Sequence, residues 1–263
     1  MRATLLVAAG LFGVIVGSFL NVVIWRLPRR ESIVRPRSSC PACGHEIRAR
    51  DNVPVLSWLL LRGRCRDCSR PISARYPLVE LLTGVVFAAA TALSVSGSVA
   101  LTALPAFLFV GAVAVALTFI DLDTHRLPDV IVLPSILVSL GLLGASALAE
   151  HDPQRISRAL LGAGILFSVY LVLWIIYPSG MGLGDVKLAA FLGMYMGWIG
   201  WGALIVGGFA AFLLGGAFSV GLLATGRANR KSRIPFGPWM VVGAATGIAV
   251  GESVWQSYLA LVT

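Results

Sequence analysis

Charge is what this sequence has least of. Of its 263 residues only 13% are Asp, Glu, Lys or Arg, against 57% that are hydrophobic. A soluble domain carries roughly a quarter charged residues, so this composition points away from a water-facing globule and toward a membrane protein. Histidine is scarcer still: His45, His125 and His151 are the only three, and each lies in a polar stretch. They offer no good serine–histidine–acid set. Cysteine is confined to four residues in one segment.

The chain is rich instead in long apolar runs. About 20 such residues suffice to cross a bilayer as a helix. Eight candidate spans occur, at roughly residues 4–25, 77–97, 101–120, 130–149, 158–177, 186–199, 202–224 and 238–260. The expected fold is an all-α polytopic membrane protein with about eight transmembrane helices. The first run follows Arg2, but it is too long for a signal peptide and lacks a small-residue cleavage site before "IWRLPRR". It is read as a retained helix. The sixth is short and flanked by glycine, which suits a tilted helix or one continuous with a broken neighbour.

The net charge of +9 is unevenly placed. Twelve of the 21 basic residues are arginines between Arg26 and Arg75, and Arg227, Arg230, Lys231 and Arg233 lie between the last two spans. An even number of spans separates these two loops, so they share a side, and the positive-inside rule makes it cytoplasmic. Arg126 and Lys187 then fall on that side too, leaving Arg2, Arg155 and Arg158 outside. Both termini are expected to be extracytoplasmic. Topology and anionic lipid account for the arginines, so no nucleic-acid partner is expected.

All four cysteines fall in the polar segment 26–76, as Cys40-x-x-Cys43 and Cys65-x-x-Cys68 with 21 residues between the pairs. Two such knuckles can close a tetrahedral four-thiolate site around one ion. In a reducing cytoplasm the expected ion is a structural Zn2+, ahead of redox chemistry or bare thiols. The arginines around the second pair favour the thiolate form. His45 reads as a turn residue rather than a ligand. The apolar "VPVLSWLLL" (53–61) is too short to span and reads as a small core, or as a surface resting on the membrane.

Acidic residues are few enough to weigh singly. Glu31, Glu46, Asp51 and Asp67 belong to the polar loop, Glu150 and Asp152 to an outer turn, and Glu252 to the outer half of the last span. Glu80 opens the second span, where helix capping with Arg75 as a possible partner competes with a functional role. Asp121, Asp123 and Asp129 in "TFIDLDTHRLPD" and Asp185 in "GMGLGDVKL" remain. The topology puts both segments at the cytoplasmic face, and ionisable groups there are functional candidates. Two facing carboxyls that share a proton fit aspartic proteolysis, one activating water while the other polarises the scissile carbonyl. Glycines around Asp185 leave room for an extended substrate backbone. The competing account is small-residue helix packing with an Asp–Lys surface pair.

Six ordered blocks together resemble the type IV prepilin peptidases, bifunctional leader peptidases and N-methyltransferases of the bacterial inner membrane. They are "GSFLNVVIWRLP" (17–28), the two cysteine pairs, "ARYPLVELLTG" (74–84), "IDLDTHRLPD" (120–129), "GMGLGDVKLAA" (180–190) and "IPFGPWMVVGA" (234–244). The resemblance implies a catalytic pair of Asp121 and Asp185, 64 positions apart, with Asp123, Asp129, Gly182, Gly184 and Lys187 lining or supporting the cleft. It implies cleavage of a basic leader after glycine in prepilins and pseudopilins, then methylation of the new N-terminus with S-adenosylmethionine as donor. No residue for the donor can be named, because no dinucleotide-type glycine fingerprint is present.

The corresponding division is a first transmembrane helix (1–25), a methyltransferase-associated zinc loop (26–76), a second helix (77–100) and a six-helix membrane aspartic peptidase domain (101–263). Two alternatives stand beside this reading. One is a peptidase that does not methylate; the other is a channel or transporter with a zinc-ribbon loop.

Overall fold

The computed structural model describes residues 2–178, 180–227, 229 and 234–262. Arg230, Lys231 and Arg233, part of the second basic loop expected from the sequence, lie outside the described residues. Helix dominates, and among the described residues no β-strand forms; two isolated bridges, Ser39 with Glu46 and Arg64 with Pro71, sit in the cysteine-bearing loop. The chain divides into two compact units, 1–96 with 111–116, and 97–110 with 117–263.

The first unit is built on α1 (Arg2–Arg26) and α3 (Arg75–Val95), joined by a polar loop that holds the short α2 (Leu56–Leu60). Lipid gives two apolar helices no hydrophobic reason to associate, so close backbone approach must do it. Glycine supplies that approach. A Cβ on Gly13 would lie 2.7 Å from the Thr83 carbonyl oxygen, and one on Gly17 would lie 2.7 Å from the Glu80 Cα. Leu11, Ile15 and Phe19 of α1 and Leu78 and Val85 of α3 stay exposed, as a lipid-facing surface requires.

The second unit takes both ends of α4 (Leu104–Thr124), the most buried of the long apolar helices, whose residues 111–116 belong to the first; α5 (Asp129–Ala149) and α6 (Pro153–Ile176) follow. Next come α7 (Leu183–Ile199) and α8 (Trp201–Ala224), then α9 (Gly237–Thr246), a π-helical turn (Gly247–Gly251) and α10 (Glu252–Val262). Helix α7 forms the centre, with Phe191, Tyr195 and Trp198 fully buried. Its glycines Gly193 and Gly197 meet Gly162 of α6 backbone to backbone. The buried Tyr195 hydroxyl is satisfied by Ser139 Oγ at 2.6 Å.

Six of the eight expected spans are long and apolar enough to cross a membrane: those in α1, α3, α4, α5, α6 and α8. Among the described residues the eight-span count is therefore not confirmed. The sixth expected span is α7, whose 17 residues rise about 26 Å at 1.5 Å each, short of a hydrocarbon core of about 30 Å. The eighth is broken by the π turn, where Gly247 and Gly251 press against α8. Glu252 follows directly, and its Oε2 accepts the Gly202 amide at 3.2 Å, satisfying a donor at the start of α8.

Candidate active site and metal centre

Four helix ends build the site in the second unit. Helix α4 closes at His125, which adopts the left-handed conformation (φ 52°) and donates its N–H to the Asp121 carbonyl at 2.8 Å. Asp121 thus occupies the last turn, and its residue is only 5% exposed. Its Oδ2 accepts the backbone N–H of Gly237, the first residue of α9, at 3.0 Å. Asp185 sits in the first turn of α7, 9% exposed, and its Oδ2 accepts the Gly182 N–H at 2.9 Å. This is half of a capping box, since glycine has no side chain with which to reciprocate. The Asp121 carboxylate is close enough for its charge to act on Asp185.

Charges near the membrane are costly unless paired or used. Neither aspartate has a cation among its described hydrogen-bond and ion-pair partners; each is held by one glycine amide. Among the described residues no hydrogen bond claims either Oδ1. The arrangement is two buried carboxyls, each fixed by one oxygen, near the end of one helix and the start of another.

Glycine in the G-x-G-D segment has two separable jobs. Gly184 is needed for packing, because a Cβ there would sit 2.9 Å from the Leu127 Cβ. Gly182 has an extended backbone (φ −89°, ψ 153°) that any residue can adopt, and it contributes its amide. Asp129 and Lys187 meet: the ammonium donates to Oδ1 at 2.7 Å and Oδ2 at 2.8 Å, tying the start of α5 to the start of α7. Asp123 is exposed two residues beyond Asp121 and points to a different side of α4, since a helix turns about 100° per residue.

The pair formed by Lys187 is half-exposed and anchors helix ends. Lys187→Met is therefore expected to cost about 1 kcal/mol or less and to leave cleavage within about threefold of wild type. Thermal unfolding in detergent and an initial-rate assay check both.

Gly237 is a residue the sequence reading passed over. Its block was noted only for resemblance, yet its amide holds Asp121, and a Cβ there would stand 2.8 Å from Oδ2. The signal available was the Gly-Pro pair opening a helix. Gly237→Ala is expected to displace the Asp121 carboxyl and slow cleavage by about 10- to 100-fold, while the protein still accumulates in the membrane. Rate measurements on purified protein test this. Tyr170 was also passed over. It lies within electrostatic range of Asp185 and forms an aromatic cluster with Phe212 and Phe236 at 5.2 and 6.3 Å between ring centres.

In the first unit, the sulfurs of Cys40, Cys43, Cys65 and Cys68 all lie within 4.8 Å of one another. Cys40 and Cys68 are 3.8 Å apart, too far for a disulfide and close to the edge of a tetrahedron built on bonds of about 2.3 Å. The two knuckles repeat one geometry. The Cys40 amide donates to the His45 carbonyl and the Gly44 amide to the Cys40 carbonyl; Cys65 with Arg70, and Ser69 with Cys65, do the same. Gly44 (φ 75°) and Ser69 (φ 57°) hold equivalent left-handed positions.

The Ala42 and Cys43 amides point at the Cys40 sulfur and lower its pKa to about 6. The His45 amide favours the Cys43 thiolate, but loss of hydration and the facing sulfurs push that thiol up to about 12. Four thiolates this close are jointly stable only around a cation. The residues present fit a metal ion, as the spacing led one to expect.

Arg66 chelates Asp51 at 2.6 and 2.8 Å, and Arg48 reaches Asp67 at 3.0 Å, linking the stretches around the two knuckles. The Arg66 guanidinium holds the Asp51 carboxyl below its ordinary range. That pair's contribution is present at neutral pH and is lost as pH falls through the lowered value.

A polytopic helical membrane protein, with a paired-aspartate site in one unit and a four-thiol cluster in the other, is the class that fold and site define. Residues 11–94 match the bacterial peptidase A24 N-terminal domain, and residues 108–220 match the type IV leader peptidase family. Three relatives, each named prepilin leader peptidase/N-methyltransferase, align over most of the chain. The one from Aeromonas salmonicida is 39% identical over 96% of this chain and 93% of its own. That from Burkholderia pseudomallei is 39% identical over 91% and 83%, and that from Myxococcus xanthus 41% over 84% and 64%. No solved structure matches. The chain belongs to the type IV leader peptidase family.

Proposed function

We propose that this protein is an integral-membrane aspartic endopeptidase that removes the basic leader of prepilins and pseudopilins after glycine. It then methylates the amine so exposed, with S-adenosylmethionine as donor. The observation that carries the peptidase reading is the burial of Asp121 and Asp185 together, each with one oxygen fixed by a glycine amide.

In the reaction the ionised member of the pair takes a proton from water, and the water oxygen attacks the scissile carbonyl. The protonated member gives its proton to the carbonyl oxygen. Collapse of the tetrahedral species expels the amine, which takes a proton back from the pair. Gly182 and Gly237 hold the carboxyl planes, and Asp129, Gly184 and Lys187 fix the helix starts around them. Asp123, exposed near the end of α4, is read as a supporting group.

We assign residues 1–100 to methyl transfer and 101–263 to proteolysis. Cys40, Cys43, Cys65 and Cys68 would hold Zn2+, which in a closed four-thiolate site supplies structure and leaves no position for substrate. The zinc loop and the aspartates are assigned to the cytoplasmic side, and both termini to the other, on the distribution of arginine. A peptidase that does not methylate is the weaker reading, because the tetrad is intact and organised.

The test is a reaction of the purified protein with a prepilin, with and without S-adenosylmethionine, read by mass spectrometry. Loss of the leader in both reactions and one added methyl in the second are expected. Cleavage without the methyl would leave the peptidase alone, and no cleavage would sink the proposal.

A further inference from the structure

Glu80 is used by neither step described so far. It lies on α3 and is 7% exposed. It does not cap its own helix: its Oε2 accepts the backbone N–H of Val55, 25 residues earlier in the polar loop, at 2.7 Å. The Ser18 hydroxyl of α1 lies against the same carboxylate. Three chain segments therefore converge on one buried group in the first unit, and both of these partners are neutral. Glu46, Asp51 and Asp67 each face an arginine in an ion pair, whereas the partners described for Glu80 are uncharged.

The residue that Glu80 grips is the strained one. Val55 has φ 60° and ψ −53°, a backbone state that branched side chains avoid. The Leu56 N–H closes a tight turn on the Pro54 carbonyl at 2.5 Å. This is the γ-turn of positive φ, a rare and strained form. Strain of this kind persists only where surrounding contacts over-determine it, and it gathers at functional sites.

From that turn a run of fixed contacts leads to the second knuckle. Ser57, buried, accepts the Val53 amide and donates to the Arg50 carbonyl. Trp58 Nε1 donates to the Ile72 carbonyl at 3.1 Å, and its ring lies over Gly63, where a Cβ would meet it at 2.9 Å. The Ile72 amide bonds Gly63, and the Arg64–Pro71 bridge brackets Cys65 and Cys68.

We propose that Glu80 is a positioning residue for methyl transfer: by holding Val55 in its strained turn it fixes the metal-binding loop on α1 and α3. This rests on the assignment of the first unit to methyl transfer. Among the described residues this bond ties the middle of the loop to α3, and a reaction in which a methyl must meet an amine in line tolerates little misplacement. The carboxylate acts through its acceptor oxygens rather than its charge. An amide oxygen can replace one of them.

The test uses full-length protein carrying E80A, E80Q or E80A/V55G, with a pre-cleaved pilin as methyl acceptor. In E80A, methylation is expected to fall about tenfold or more, with leader cleavage within about twofold of wild type and bound metal unchanged. Amide hydrogen exchange over residues 53–63 should speed up in the same variant. E80Q should keep methylation and slow exchange, because its carbonyl still accepts the Val55 N–H. Glycine adopts positive φ freely, so E80A/V55G should regain part of the methylation.

Normal methylation and unchanged exchange in E80A would overturn the proposal. So would equal losses in E80A and E80Q with no rescue by V55G, which would assign the role to charge. If E80A fails to accumulate, failure of V55G to restore it counts against the proposal as well. A wild-type protein that cleaves but does not methylate removes the assignment on which the proposal rests. Normal behaviour of E80A alone leaves that assignment standing.

Discussion

Asp121→Asn and Asp185→Asn are each expected to lower leader cleavage by about a thousandfold or more, with both proteins still folded in the membrane. The amide is nearly isosteric with the carboxyl, so Gly237 and Gly182 can still donate to the retained carbonyl oxygen and the helix ends stay in place. What is lost is the exchangeable proton and the base. The two losses should not add: the double variant should be no slower than either single one, because each carboxyl works only through the other. Initial rates with a purified prepilin, beside thermal unfolding of each variant, measure this. A single variant retaining more than about a tenth of wild-type activity would break the assignment.

Cys40→Ser or Cys65→Ser is expected to empty the metal site and to abolish methylation, by about a hundredfold or more, while cleavage stays within about fivefold. The reason lies in how little else holds the loop. Between residues 31 and 74 only Ser57 and Gly63 are buried, so the segment has almost no apolar core. Small folds without a core depend on a metal or cross-links. The ion pairs of Arg66 and Arg48 are exposed on the arginine side and add little alone. Metal analysis of the purified protein, with the two activities assayed on separate substrates, separates the outcomes. Prolonged chelation of the wild type should reproduce the variant. Normal methylation by metal-free protein would remove the metal from the account.

Much of this was legible in the sequence, for reasons that can be stated residue by residue. Apolar runs of sufficient length have one solution in lipid, because every backbone amide must be satisfied within the segment. The thiol site was legible because C-x-x-C fixes two sulfurs on one turn, and the structure gives both knuckles the same backbone hydrogen bonds. Asp185 stood out because a carboxylate among glycines at the edge of an apolar run has few structural reasons to exist.

Other features were not readable. The eight-span count stays unconfirmed at α7, which is 17 residues long, and at the π turn, which divides the last apolar run; hydropathy alone marks neither a helix end nor a break within a run. Glu80 sat where a capping acid would sit, and only the fold sends its carboxylate to Val55. The partner of Lys187, Asp129, lies 58 positions away and is set by the fold.

Sequence alone determined the class: helices in a membrane, four thiols for one ion, and two aspartates as the candidates for chemistry. Those are local properties, set by hydropathy, by spacing within a turn and by the cost of charge near lipid. Only the tertiary structure could bury Asp121 and Asp185, give each a glycine amide, and choose Gly237 of α9 as one of the two donors. Such pairings span 64 and 116 positions of chain. They exist because helices with glycine faces pack backbone to backbone and carry their ends to a common site.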